Sequence, residues 1–315
     1  MSNPIIVCGG DYEHVLDFSA AAGSDPASIA YLKSGLAELS RTVLNGDRFD
    51  VAEYSLANYI MLKDRGDHRL AAIPVFPSRA FRNASVFVAN DSPLKDVASL
   101  KGKKIGISDF AMTTAVWTRG HLSDDFGLDC RELEWVIGAN PRFPPPAGVR
   151  VEQSKENLEQ LLLEGKIDAL MAGKPKEFAL PPGERRIRFL LEETEAIERT
   201  YYETTGFFPI MHTIVLHASM MREPEAARCV FDAYVATKKK AIKRRLGASY
   251  LPFAERAWER YNGPGMADPY QHGLSERNRR IIMTLARYLL EQGMIQVLPD
   301  IDQLFVPGSM DWRDE

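Results

Sequence analysis

Phe49-Asp50-Val51-Ala52-Glu53-Tyr54-Ser55 and, further on, Ile73-Pro74-Val75-Phe76-Pro77-Ser78-Arg79-Ala80-Phe81-Arg82 decide how this chain reads. Each is a short apolar run that ends in polar side chains, an acid and a hydroxyl in the first and guanidinium groups in the second. Such a run reads as a buried strand whose last side chains emerge at the sheet's edge, where open α/β sheets bind ligands. Arg79 and Arg82 each carry a planar fork of donors that matches a carboxylate. Ser55 adds a hydroxyl at the same edge. Extended backbone would send positions 79 and 82 to opposite faces, so a turn must intervene if both act on one anion.

Outward from these runs, strand-like and helix-like segments alternate. The sequence predicts a strand over 5–8, an Ala/Leu-rich helix over 26–44, a strand over 49–54 and a helix from Ser55 to a glycine cap at Gly66. An extended run over 70–75 closes this series. A second series follows from position 85, with strands over 85–89, 133–137, 167–171 and 187–191 and helices over 113–125, 155–164 and 193–203. The apolar run 209–216 reads as a buried strand that returns to the first lobe. Helices dominate the remainder. One, from Pro224, has Ala227, Val230, Phe231, Tyr234 and Val235 on one face and a basic run over 238–245 that reads as solvated. The last has Ser275 as N-cap, Ile281, Leu285, Tyr288 and Leu289 on one face, and Gly293 past its end. The chain thus divides into the N-terminal part of a first α/β lobe (1–84), a second α/β lobe (85–209), and a return to the first lobe with C-terminal helices (210–315).

Composition narrows the function. With 315 residues, 45% hydrophobic and 26% charged, the chain has room for two ordinary domains. A net charge of −4 lacks the basic excess that binds a phosphate backbone, which argues against nucleic acid. Cys8, Cys130 and Cys229 are too few and too scattered for a disulfide framework or a zinc motif. The chain reaches an apolar strand almost at once, without a basic, then long apolar, leader, and no segment approaches the roughly 20 apolar residues of a membrane span. A cytoplasmic protein with no membrane partner is the expectation. Gly9-Gly10-Asp11 lacks the remaining glycine of a dinucleotide fingerprint, and no Walker or metal-ligand motif occurs, so neither a cofactor nor a metal is expected.

Several side chains stand out for chemistry. His212 interrupts an otherwise apolar strand, and an imidazole is easily tuned near neutral pH, although a satisfied core histidine reads the same way. Glu53 and Asp11 follow short apolar strands and are placed to orient an imidazole; Asp11 equally suits a turn cap. Thr113 and Thr114 open a helix, where backbone N–H groups and hydroxyls suit a carboxylate. Phe81 and Trp117 offer ring faces or core packing, and Arg119 offers a second-lobe anchor or a helix-surface charge.

Taken in order, Cys8-Gly9-Gly10-Asp11-Tyr12, Asp50-Val51-Ala52-Glu53, the run 74–82, Ala115-Val116-Trp117 with Arg119, Phe208-Pro209-Ile210-Met211-His212-Thr213 and Asn278 resemble the 4,5-dihydroxyphthalate decarboxylase family. These are soluble enzymes that look like bacterial solute-binding proteins. The resemblance covers nearly the whole chain and implies a two-lobed, type 2 periplasmic-binding-protein-like α/β fold with two extended crossings, C-terminal helices and ligand in the cleft. It also implies cofactor-independent, non-oxidative loss of CO2 from a dihydroxylated aromatic diacid, 4,5-dihydroxyphthalate to protocatechuate. In that reading Arg79 and Arg82 anchor a small aromatic carboxylate, with Arg119, Thr113, Thr114, Ser55, Phe81 and Trp117 around it. His212 is proton donor or phenol partner, and Glu53 and Asp11 support it or accept a phenolic proton. Homo-oligomerisation stays open. The turn Asp268-Pro269-Tyr270-Gln271-His272-Gly273 departs from the more aromatic, proline-containing turn expected of the relatives. The competing reading is a cytoplasmic binding or sensor protein for a small aromatic carboxylate; a different lyase or pyrimidine-cofactor biosynthetic protein on this fold is a third.

Overall fold

The computed structural model describes residues 4–21, 29–46, 49–247 and 268–314. In chain order the first series runs β1 (Ile5–Gly9), α1 (Phe18–Ala21), β2 (Ile29–Lys33), α2 (Leu36–Asn45), β3 (Val51–Ser55), α3 (Leu56–Asp64) and β4 (Leu70–Ile73). The second comprises β5 (Val86–Ala89), β6 (Lys104–Ile107), α4 (Thr113–Phe126), β7 (Glu134–Gly138), β8 (Arg150–Ser154), α5 (Leu158–Leu163), β9 (Ala169–Met171), β10 (Ile187–Phe189) and α6 (Thr194–Thr205). Then come β11 (His212–His217), α7 (Pro224–Gly247) and α8 (Glu276–Glu291).

Two sheets result. The first has the order β2-β1-β3-β11-β4 and the second β10-β5-β9-β6-β7-β8. In the first, β1, β2 and β3 are parallel, while β11 runs antiparallel between β3 and β4. Every residue of β3 is buried, as its near-continuous apolar run requires of a central strand. The return strand is therefore a tertiary wedge, inserted beside residues more than a hundred positions earlier.

One expected helix is not continuous. Residues Ile29–Lys33 form a strand that pairs in parallel with β1, Ile5 opposite Ile29 through Gly9 opposite Lys33. The helix begins only after Gly35, whose backbone is extended. A β-branched and an aromatic residue at alternating positions, Ile29 and Tyr31, suit a pleated edge better than a helix. The portion of that expected helix over 26–28 lies outside the described residues.

Residues 74–85 and 206–211 cross between the sheets side by side. Arg79 bridges Ile210 in antiparallel fashion, Ala80 N–H donates to Pro209 O (3.1 Å) and Met211 N–H donates to Ser78 O (2.8 Å). Helix α8 presents Ile281, Leu285, Tyr288 and Leu289 to the core, with Ser275 Oγ accepting from Asn278 N–H as its N-cap. Gly120 on α4 lies against the Tyr288 ring, where no Cβ would fit. The basic run on α7 is not wholly solvated: Lys238 is 6% exposed and its ammonium pairs with Asp268 (2.6 Å) and Asp314. A buried ammonium needs such partners to offset its lost hydration. Among the described residues no helix is long and apolar enough to cross a membrane.

Candidate active site

The carboxylate of Glu53 is the centre of the site. It leaves the middle of β3 on the same sheet face as His212, the first residue of β11, because the register sets His212 opposite Ser55 and Ile214 opposite Glu53. Diagonal neighbours of this kind lie within reach of long side chains. His212 Nδ1 is 2.6 Å from Glu53 Oε1; the glutamate side chain is 0% exposed and the histidine side chain 21%. Tyr12 Oη–H donates to the same Oε1 at 2.8 Å, and Gly10 N–H donates to Oε2 at 2.9 Å.

Burial alone would raise the Glu53 carboxyl, but the His212 hydrogen bond and charge, with the donors from Gly10 and Tyr12, outweigh it and hold the group below its ordinary value. Glu53 is thus a carboxylate at neutral pH. A carboxylate accepts, so Nδ1 carries the proton and Nε2 is the nitrogen left for a ligand. Burial, then the charge and hydrogen bond of Glu53, raise the Tyr12 phenol and keep it a donor.

The loop after β1 is shaped for this contact. Tyr31 Oη–H donates to Gly10 O at 2.8 Å, which holds the Gly10 backbone beside the carboxylate. A Cβ at Gly9 would collide with Tyr31 Oη and lie 3.2 Å from Glu53 Oε2, so only glycine fits. Tyr12 in turn stacks on His14, ring centroids 4.9 Å apart. Sequence reasoning missed Tyr12 and Tyr31 as site residues; the Gly-Gly pair beside a tyrosine was the available signal.

Arg82 and Thr114 gather at the side chain of Met211, the residue before His212. Arg82 Nε–H donates to Met211 Sδ at 3.5 Å and Nη1–H to Gly173 O at 3.4 Å, while Thr114 Oγ1 lies 4.0 Å from the same sulfur. Burial pushes the Arg82 guanidinium down to about 10, partly offset by Glu198, so it stays cationic at neutral pH. It forms no salt bridge with a carboxylate among the described residues.

The other expected ligands have different partners. Arg79 Nη1–H donates to Phe208 O and Nη2–H to Gln271 O and Asn278 Oδ1, at 2.8–2.9 Å, so this guanidinium ties the second crossing to α8. The turn needed to bring Arg79 and Arg82 to one anion is not made. Arg119 is buried against the Phe110 ring (3.8 Å) and donates to Phe110 O and Gln292 Oε1, and is therefore a core cation. Trp117, 0% exposed, donates to Ile210 O at 3.1 Å and packs on Tyr288, leaving no ring face for a ligand. Phe81 packs on Phe208 and Tyr202.

Thr113 Oγ1 meets Ser55 Oγ at 2.8 Å and accepts from Ala57 N–H at 3.2 Å. The Thr113 hydroxyl, expected to serve an anion at the start of α4, instead caps the start of α3. Asp11 is exposed and pairs with Lys33 at 2.6 Å, away from the imidazole it was expected to orient. No cluster of three potential metal ligands occurs among the described residues.

Two sheets, paired crossings and a polar cluster beside them define a type 2 periplasmic-binding-protein-like fold. The structure superposes on the periplasmic aliphatic sulphonate binding protein SsuA of Escherichia coli with a TM-score of 0.56 at 14% identity, covering 97% of this chain and 92% of that one. It also superposes on the desulfurization enzyme DszB, TM-score 0.54 at 16% identity over 97% of each chain. Residues 34–174 match the family described as ABC transporter, phosphonate, periplasmic substrate-binding protein. In sequence the chain is similar to the 4,5-dihydroxyphthalate decarboxylase of Comamonas testosteroni, 29% identical over 278 residues and 84% of both proteins. It is 31% identical over 169 residues to the enzyme of that name from Pseudomonas putida, covering 50% of this chain and 65% of that protein. The resemblance drawn from the motifs is borne out by these relatives.

Proposed function

We propose that the chain is a carboxy-lyase that removes CO2 from a hydroxylated aromatic diacid, 4,5-dihydroxyphthalate being the substrate its relatives' names suggest. The observation that carries this reading is the His212–Glu53 pair: a part-exposed imidazole whose Nδ1 is fixed by a sealed carboxylate. A receptor that only binds an anion has no need of such a pair. In this reading Arg82, which contacts the sulfur of Met211 beside His212 in the chain, anchors the carboxylate that stays.

In this mechanism the imidazolium Nε2–H protonates the ring carbon bearing the departing carboxylate. The carbon–carbon bond then breaks, its electrons return to the ring, and CO2 leaves; solvent reprotonates His212. Glu53 stabilises the imidazolium before transfer and keeps Nδ1 protonated after it. A phenolate para to the reacting carbon spreads the charge of the protonated ring. A general acid of this type contributes about 10²–10⁴-fold.

The test is incubation with 4,5-dihydroxyphthalate and a panel of hydroxylated benzoates in D2O, following CO2 and the aromatic product. The expected product carries one deuterium at the carbon that lost CO2. Saturable binding of the diacid without CO2 would overturn the lyase reading in favour of a binding protein, the activity class of the phosphonate-binding family match.

A further inference from the structure

Periplasmic binding proteins hinge: two separately packed lobes close on a ligand. The packing here is different. On one face of the first sheet, Val51 and Ile214 cluster with Val230 and Phe231 of α7. On one face of the second, Phe87 and Leu170 cluster with Leu161 and Leu162 of α5. The opposite faces do not have a core each. A single apolar cluster joins Tyr54 and Ala72 of the first sheet region, Ile107 and Met171 of the second, and Leu285 and Leu289 of α8.

Polar contacts cross the same junction. Thr113 Oγ1, at the start of α4, meets Ser55 Oγ at 2.8 Å and accepts from Ala57 N–H at 3.2 Å, while Asn58 Nδ2–H donates to Ala111 O at 2.7 Å. All three of these side chains are buried. Further along α4, Trp117 Nε1–H donates to Ile210 O on the second crossing. Helix α8 then straps the junction from outside. Its Tyr288 ring fills the space beside Gly120, and Gln292, just past its end, donates to Val116 O at 2.9 Å. The chain that leaves it returns to α3, where Gln296 N–H donates to Asp64 Oδ1 at 3.0 Å.

To swing the sheets apart, water would have to enter between α3, α4 and α8 and wet Tyr59, Trp117 and Tyr288, each at most 2% exposed. A hinge needs an interface that parts at little cost, and this one is close-packed core. We infer that the two sheets move as one unit and that the chain takes up its ligand without hinge closure. The candidate site stays reachable in that frame, since the His212 side chain is 21% exposed. A protein that does not close has no second shape with which to report a bound ligand to a partner, whereas a reaction site needs its groups held in place. Rigidity of the frame does not depend on the lyase reading.

The test places one nitroxide on Cys229, exposed on α7, and another at Gln160→Cys on α5, in a chain that also carries Cys8→Ala and Cys130→Ala. Pulsed electron resonance then reads the distance across both sheets. One narrow distance is expected without ligand, unchanged to within about 3 Å by millimolar phthalate or by 4,5-dihydroxyphthalate. Hydrogen exchange on the unsubstituted chain needs no label and decides the question even if the labelled chain does not fold. The Ala57 amide, which bonds across the junction, should exchange within about tenfold of the β3 amides, because both open only when the whole chain unfolds. A second, longer distance in the ligand-free chain, a shift beyond about 3 Å with either diacid, or exchange at Ala57 more than about 100-fold faster than in β3 would overturn the inference. CO2 release is read separately, so failure of the lyase reading and failure of the rigid frame are told apart.

Discussion

Glu53→Gln tests whether the buried carboxylate acts through His212. The wild-type carboxylate accepts from His212 Nδ1, Tyr12 Oη and Gly10 N–H, at 2.6, 2.8 and 2.9 Å. Glutamine keeps the volume and one accepting oxygen but loses the charge that favours an imidazolium. A charge-assisted hydrogen bond contributes about 1.5–3 kcal/mol. If that is withdrawn from the protonated histidine in the transition state, turnover falls roughly 10- to 150-fold. The assay is single-turnover CO2 release on folded protein, with a double-mutant cycle against His212→Gln. Coupling predicts that the double variant is no slower than His212→Gln alone. Strictly additive losses would refute the dyad, as would a wild-type rate in Glu53→Gln. The stability profile gives a second check. Since the folded Glu53 carboxyl lies below its ordinary value, its contribution is present above the unfolded value, near 4.5, and is lost as pH falls through the folded one. Glu53→Gln should lack that acid-dependent portion in thermal unfolding.

Arg82→Ala should weaken a nonreacting diacid analogue by about 10- to 150-fold while weakening a matched monoacid less, with Lys recovering charge but not forked geometry; equal losses on both ligands would remove Arg82 as anchor. Arg79→Ala should instead lower unfolding stability by about 2–4 kcal/mol, from three broken hydrogen bonds, with diacid affinity of the folded fraction unchanged. Tyr12→Phe removes one of three donors to Glu53 and should slow turnover roughly 5- to 30-fold, with the acid limb of the rate profile moving up in pH and the unfolding temperature little changed. His272, held well below its ordinary value by burial and the nearby Lys238 and Arg79 charges, stays neutral in the fold. The stability from this is full above the unfolded value of about 6.5 and declines as pH falls below it. His272→Asn, whose oxygen can still accept from Phe76 N–H, should flatten the fall of the unfolding temperature as pH drops below about 6.5; an unchanged slope would reject this assignment.

Much of this protein is written locally. The apolar runs ending at Ser55 and beginning near His212 announce buried strands because strand burial is a property of a few consecutive side chains, and the caps at Ser55, Ser275 and Gly66 are set by short-range hydrogen bonds and a positive φ. The charged dyad residues were legible as exceptions, Glu53 inside one apolar run and His212 inside another. Where local signals compete, the tertiary structure decides. Residues 29–33 look helical beside the alanine-rich stretch around them, but pairing with β1 makes them a strand. Whether an arginine binds a ligand or braces the fold depends on partners far along the chain: Arg79 finds Phe208, Gln271 and Asn278, Arg119 finds Gln292, and among the described residues Arg82 donates to a sulfur and a carbonyl, with the Glu198 charge nearby. The contact on which the proposed chemistry rests joins residues 159 positions apart. No periodicity or propensity carries that distance, because it exists only once β11 has been inserted against β3.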